Sequence, residues 1–180
     1  MPLELLGLIG AECTGKSTLA RALQRDLSAV VVPESLREFV EIHGRTPRPE
    51  EQFGLLTAQR QAVADACATA GSDAVVIADP VPAMTAVYSL AYFGDGSLLA
   101  DACADLSRFR LVVWCRPDFT WVPDGLHRDG DDMRLVVDEL IANQILPHAS
   151  VRVVEARGPV HERARVVEQA WLRSLAEDPT

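Results

Sequence analysis

The sequence predicts an α/β fold in which a five-stranded parallel sheet carries helices on both faces. Three observations lead there. Five short apolar runs alternate with segments of helical periodicity. Those runs are mostly apolar rather than alternating, as strands buried on both faces are. The first of them ends in a glycine-rich loop that leads straight into a helical pattern.

Taken in order, residues 3–9 read as a buried strand stopped by Gly10, and 14–27 as a helix with apolar positions at Leu19, Ala20, Leu23 and Leu27. Residues 29–32 form a second strand, ended by Pro33. Helices are expected over 35–43 and 49–70, separated by the turn-rich 44–48 and closed by Gly71. A third strand, 74–78, terminates in Asp79-Pro80. Helical segments follow over 84–92 and 98–106, split by Gly94-Asp95-Gly96. A fourth strand at 111–115 gives way to a polar stretch, 117–132, too rich in proline, glycine and aspartate for a core element. A helix over 133–146, a strand over 151–155 and a helix over 161–175 complete the chain. No internal repeat or linker is visible, so one domain over 1–180 is expected.

Composition narrows the function classes. With 180 residues, 48% hydrophobic and 24% charged, the chain is expected to bury a core without disulfides or metal. Its formal charge of −9, with no local run of Lys or Arg, opposes binding to a phosphate backbone, so no nucleic-acid partner is expected. No apolar run is long enough to span a membrane and no signal peptide is recognisable, which makes cytoplasm the default and membrane association unexpected. The oligomeric state is not readable. Cys13, Cys67, Cys103 and Cys115 lack metal-ligand spacing, as do the four histidines, so free thiols and no structural metal are expected.

The glycine-rich loop is Gly10-Ala11-Glu12-Cys13-Thr14-Gly15-Lys16-Ser17, a match to G-x-x-x-x-G-K-[ST] between strand and helix, as that motif requires. This predicts a P-loop NTPase with probable strand order 2-3-1-4-5. Its glycines let successive backbone N–H groups turn inward, and the helix N-terminus adds partial positive charge. Gly10, Glu12, Cys13, Thr14, Gly15, Lys16, Ser17 and Thr18 are therefore the expected site for ATP, with GTP as an alternative. Lys16 bridges the β and γ phosphates and Ser17 coordinates Mg2+. Lys16 is the only lysine among 17 basic residues, at a position needing a compact point charge.

Asp79, at the end of a buried strand, has the form of a second Mg2+ group, against the simpler reading of a helix cap. Pro33-Glu34 occupies the same kind of position after the second strand. Phosphoryl transfer to a hydroxyl needs a carboxylate within reach of the acceptor, and Glu34 and Asp79 are the two candidates, which the sequence does not rank. Arg37 is a candidate acceptor contact, competing with a surface pair to Glu38 or Glu41. Gln59 is a candidate reader of a base or amide edge, competing with a solvated helix face. Tyr88, four residues before Tyr92, is either core or a stacking surface. The stretch 117–132 is expected to be a lid whose Arg128 and Arg134 close over the transferring group, against the simpler reading of a solvated acidic loop, with Trp121 either stacking on an aromatic acceptor or anchoring the loop to the core. The turn 156–159 should lie beside the nucleotide base.

The residues Gly10 to Leu19, Pro33-Glu34 with Arg37-Glu38-Phe39, Asp79, Thr85-Ala86-Val87-Tyr88 and Trp121-Val122-Pro123-Asp124-Gly125-Leu126 together resemble the ribosylnicotinamide kinase domain. That domain forms the C-terminal part of bifunctional bacterial NAD-biosynthesis regulators and also occurs as a stand-alone P-loop ATPase. The resemblance, spanning about residues 3–165, implies ATP-dependent phosphorylation of the 5′-hydroxyl of nicotinamide riboside, with Asp79 near the acceptor and Trp121 to Asp124 bordering it. One departure stands out: better-known members carry Asp-Thr-Asp where this chain has Asp79-Pro80-Val81. The adenylyltransferase and DNA-binding parts of the regulators are unmatched, and neither activity is expected.

Two functions remain from the sequence: a kinase for a small nucleoside-like acceptor, and a nucleotide-dependent switch or regulatory ATPase read by a partner. A kinase needs an acceptor cavity and acceptor-stimulated turnover, whereas a switch needs neither. The paired carboxylates and the Trp-bearing lid favour the kinase.

Overall fold

In the computed structural model, described for residues 4–71, 73–120 and 130–177, the five apolar runs form one parallel sheet. Strands β1 (Glu4–Ile9), β2 (Val30–Val32), β3 (Val75–Ala78), β4 (Leu111–Cys115) and β5 (Arg152–Ala156) lie in the order β2-β3-β1-β4-β5. The most apolar strands hold the middle: β1 pairs with β3 through Leu6↔Ile77 and with β4 through Leu8↔Val113.

Alternate residues of each strand serve opposite faces. Leu6, Leu8, Ile77 and Val113 join Leu19 and Leu23 of α1 (Lys16–Asp26) and Val167 and Trp171 of α7 (Val160–Ala176). Leu5, Ile9, Val76 and Val112 face the other helices. These are α3 (Gln52–Thr69), α4 (Ala83–Phe93), α5 (Leu99–Leu106) and α6 (Asp131–Leu140). Helix α2 (Ser35–His43) has no fully buried residue and rests against α3 at the sheet's β2 edge. Among the described residues, no helix is long and apolar enough to cross a membrane.

Element ends depart from expectation in three places. The helix expected from residue 49 begins as a 3-10 turn, Pro49–Glu51, because Glu51 accepts the Arg48 amide N–H and closes the turn before α3 starts. Helix α6 begins at Asp131, two residues early, since two aspartates suit a helix N-terminus and Asp131 pairs with Arg134 one turn on. After Leu140 it widens into a π turn, Ile141–Ile145, and a 3-10 turn, Leu146–His148.

The register of α3 is testable. Leu56 is fully buried between β2 and β3, whereas Phe53, one turn earlier, is 59% exposed. Leu56→Ala should cost about 2–5 kcal/mol in urea unfolding, and Phe53→Ser no more than about 0.5 kcal/mol.

Candidate functional site

The sheet places the ends of β1, β2 and β3 and the starts of α1, α2 and α4 along one edge, where ligands collect in open parallel sheets. Between β1 and α1 the loop 10–15 turns back on itself. Gly10 can take no side chain, since a Cβ there would stand 2.5 Å from the Cys115 carbonyl oxygen. Gly15, in the left-handed region at φ 77°, precedes the first turn of α1. The Lys16 ammonium crosses the loop to donate to the carbonyls of Gly10 (2.8 Å) and Ala11 (2.7 Å). The buried Thr14 hydroxyl also donates to Ala11 (2.7 Å), so this side chain braces the loop rather than facing a ligand. Ser17 is half-buried and Thr18 exposed on α1.

Asp79 is buried above the sheet. Its amide donates to Val32 (2.9 Å) and that of Val81 to Leu8 (2.9 Å), so the cis Asp79–Pro80 corner continues the lateral bonding to β2 and β1. The Cys115 thiol beneath is pushed up to about 11, mainly by burial; Asp79 raises it further, while Lys16 and Arg163 pull it down. That thiol is an inert packing group at neutral pH. A phosphate-bearing ligand fits the loop: its glycines leave a cradle without side chains, and an ammonium and a helix N-terminus converge on it. No cluster of three His, Cys, Asp or Glu occurs among the described residues. A Mg2+ ion would accordingly take Ser17 and Asp79 together with phosphate and water oxygens, as this hard cation does.

Beside the loop opens a cavity of about 650 Å³, walled by Glu12 of the loop, Glu34, Ser35, Leu36 and Val40 of α2, Gln52, Leu55 and Gln59 of α3, Pro80 and Val81, and Met84, Thr85, Tyr88 and Tyr92 of α4. Glu12 and Glu34 face it from different elements, whereas the Asp79 side chain is not part of its wall. Tyr92 donates its hydroxyl to Glu12 (3.4 Å), and its ring lies 6.1 Å from that of Tyr88. The two tyrosines thus pack on the core and also line the cavity.

Two candidates are corrected. Gln59 is neither a solvated residue nor a free reader: 3% exposed, it accepts the Ser35 amide N–H (2.7 Å) and donates to the carbonyls of Pro33 (3.1 Å) and Pro80 (3.2 Å). Both amide hydrogens are spent joining the β2 and β3 exits, which sets Glu34 and Asp79 relative to each other. Arg37 is exposed and outside the cavity wall, because the helical turn after Glu34 carries it away from α3. Trp121, Asp124 and Arg128 lie outside the described residues. Arg134 is buried, bonded to the Phe119 carbonyl (2.9 Å) and paired with Asp131.

Sequence reasoning missed three groups. Gln52, buried at the cavity wall, reaches the Arg48 carbonyl at 3.4 Å. Arg45, the one Lys or Arg of the described wall, is held by both carboxylate oxygens of Glu51 at 2.7 Å. That pairing, with the Arg48 amide bond, lowers Glu51 to about 2. A depressed carboxyl stabilises the fold above its unfolded value, so this clamp is complete at neutral pH and is lost as pH falls from about 4.3 towards 2. The third is Arg163, 1% exposed, which donates to the carbonyls of Thr14 (2.7 Å), Gly158 (2.8 Å) and Arg116 (3.1 Å) and pairs with Asp118. No motif marks these residues; each is one polar side chain on an ordinary helix or turn.

A parallel sheet of this order with such a loop after its first strand defines the P-loop fold of the small-molecule kinases. A family model described as AAA domain matches residues 6–163, and the chain belongs to that family. No curated protein matches by sequence. Among solved structures, the NadR protein in complex with NAD and AMP-PNP superposes with a TM-score of 0.73 at 19% identity, over 98% of this chain and 51% of that one. The chain thus spans about half the length of that protein. Deoxyadenosine kinase from M. mycoides with bound dATP gives 0.64 at 14% identity, covering 94% and 99%. Thymidylate kinase from Ehrlichia chaffeensis gives 0.63 at 15% identity, covering 95% and 100%.

The Arg163 hub predicts a stability effect. Arg163→Met should cost roughly 1–3 kcal/mol in urea unfolding, because the buried Thr14 carbonyl loses its donor together with those of Gly158 and Arg116; Arg163→Lys, unable to fork, should recover only part of it.

Proposed function

We propose that the chain transfers the γ-phosphoryl group of ATP to the hydroxyl of a nucleoside-like acceptor held in the cavity, the 5′-hydroxyl of nicotinamide riboside being the first candidate. The observation that carries this reading is the cavity itself: it opens directly beside the phosphate loop, with two carboxylates and two tyrosines in its wall. A regulatory switch has no need of such a compartment.

Arg45 supports an unphosphorylated acceptor. A phosphate on the acceptor calls for an open arginine fork, and this guanidinium is already engaged by Glu51. The aromatic wall suits a planar ring, and Glu12 and Glu34 suit sugar hydroxyls.

In the step proposed, Lys16 and the loop amides hold the β and γ phosphates. Glu34 takes the hydroxyl proton as the acceptor oxygen bonds to phosphorus and the bridging P–O bond to ADP breaks. Mg2+ would be held by Ser17 and Asp79 and would supply charge neutralisation on the transferring group. The stretch 117–132 is proposed as the lid and Arg128 as its closing arginine; Arg134, expected from the sequence to close with it, is tied to the Phe119 carbonyl and Asp131 instead. Locating Glu34 in the cavity wall and Asp79 outside it supports this division between base and metal ligand.

ADP release from Mg-ATP, with and without nicotinamide riboside, tests the reading when the phosphorylated product is checked by mass. Stimulation with product is expected; tight ATP binding without stimulation by any nucleoside would favour the switch. Lys16→Ala should abolish turnover. Glu34→Gln should lower kcat by about 10²- to 10⁴-fold with ATP affinity preserved. Asp79→Asn should bind ATP yet lose Mg2+-dependent transfer, and full activity in it would remove Asp79 from the site.

A further inference from the structure

The wall of the acceptor cavity follows α2 from Glu34, before its first turn, to Gly44-Arg45-Thr46-Pro47, beyond its last. Its nine helical residues separate those two places by about 14 Å. Glu34 and, from the phosphate loop, Glu12 bring carboxylates to the wall. Gly44 ends α2 in the left-handed region (φ 64°), and the chain turns there so that Arg45 joins the wall. Among the described residues Arg45 is its one Lys or Arg, and its charge is cancelled from outside the wall. Glu51 takes Nη1 and Nη2 at 2.7 Å each, the Thr46 carbonyl accepts from Nη1 (3.0 Å), and the guanidinium lies 5.4 Å from the Phe39 ring. Glu51 is itself held by the Arg48 amide N–H (2.7 Å) at the 3-10 turn before α3.

We propose that Glu51 sets the charge selectivity of the acceptor cavity: by occupying the Arg45 fork it leaves the wall without a net positive group, so that a neutral or cationic ring is admitted and one carrying a carboxylate is turned away. This deepens the reading of the cavity as a nucleoside acceptor site and rests on it. A carboxylate on the acceptor gives up hydration on entry and meets two carboxylates and a guanidinium already neutralised. A carboxamide in its place loses far less. The Arg45 bond, followed by that of the Arg48 amide, lowers Glu51 to about 2, so the lock stays charged at neutral pH; Glu50 adds to the same negative field at Arg45. Glu51 is not part of the wall, so removing its charge alters the field in the cavity without removing a surface the acceptor touches. The pair is 37% and 28% exposed, and solvent screening keeps the effect moderate.

Calorimetric titration of nicotinamide riboside and of nicotinic acid riboside, which differ by amide against carboxylate, reads this selectivity as a ratio of dissociation constants. The proteins compared are the wild type, Glu51→Gln and the double variant Glu51→Gln with Arg45→Met. The wild type should favour the amide. Glu51→Gln should lower that preference by about tenfold, the worth of one charge-assisted hydrogen bond to the freed guanidinium. The double variant should return it to the wild-type value. An unchanged ratio in Glu51→Gln, including an equal loss of both ligands, would mean that Glu51 only braces the turn. A lowered ratio that persists in the double variant would mean that a looser turn, not a cation, admits the carboxylate. Either result overturns the proposal, as does a wild type that binds both ribosides alike. A wild type that binds neither riboside refutes the acceptor reading itself, an outcome distinct from the failure of Glu51 in a protein that does bind nicotinamide riboside.

Discussion

The buried guanidinium of Arg163 is the interaction on which the phosphate side of the molecule depends. A P-loop is made of backbone whose N–H groups must stay turned inward, and so its carbonyls need partners elsewhere. Thr14 finds one in Arg163, carried on α7 almost 150 residues along the chain. The same side chain takes the carbonyls of Arg116 and Gly158 and the Asp118 carboxylate, so one group ties together the loop, the exit of β4 and the turn after β5. Burying a charge this deeply is costly, and here the cost is offset by the number of acceptors that share it. Lys16 serves the Gly10 and Ala11 carbonyls in the same way from within the loop.

The acceptor side is built on a different principle. Its wall is largely side chains from α2, α3 and α4, and its alignment is set by the neutral hydrogen bonds of one buried amide and by one arginine–glutamate pair. Gln59 joins the exits of β2 and β3 through three backbone groups, and Glu51 ties Arg45 and Arg48 across the turn that closes the cavity. A ligand entering there meets a frame whose polar members are already paired. Selectivity then depends on shape and on the few groups facing inward.

Much of this was legible beforehand because it is local. The five apolar runs set the strands, and the doubly buried middle strands follow from their lack of alternation. The glycine-rich loop could be read because its spacing is fixed by phosphate geometry. What could not be read was pairing across distance. Arg163, Arg45 and Gln52 resemble any polar residue on a helix, and only the fold reveals their partners. Gln59 was singled out for the wrong reason: mid-helix polarity among apolar neighbours signalled a buried amide, but burial had already consumed its donors. The end of α6 was misjudged because the π turn Ile141–Ile145 contains no glycine or proline to mark the change of winding.

The valine at position 81, where the resembling kinase domains carry a second carboxylate, has a packing explanation. Val81 is buried against Gly7 and Phe109, and its methyl group occupies the space that the missing Cβ of Gly7 leaves open. Its amide is fixed to Leu8, which holds one methyl against Gly7 while the residue also forms part of the cavity wall. A carboxylate in place of that methyl would lose hydration against β1 and Phe109, at a cost of several kcal/mol. Glu12 and Glu34 face the same cavity from the loop and from the start of α2, where a carboxylate sits in line with a helix N-terminus. On the proposed reading, the acidic function has moved from the end of the third strand to its neighbours, and the packing of Gly7 against Val81 is what makes that arrangement compatible with a closed core.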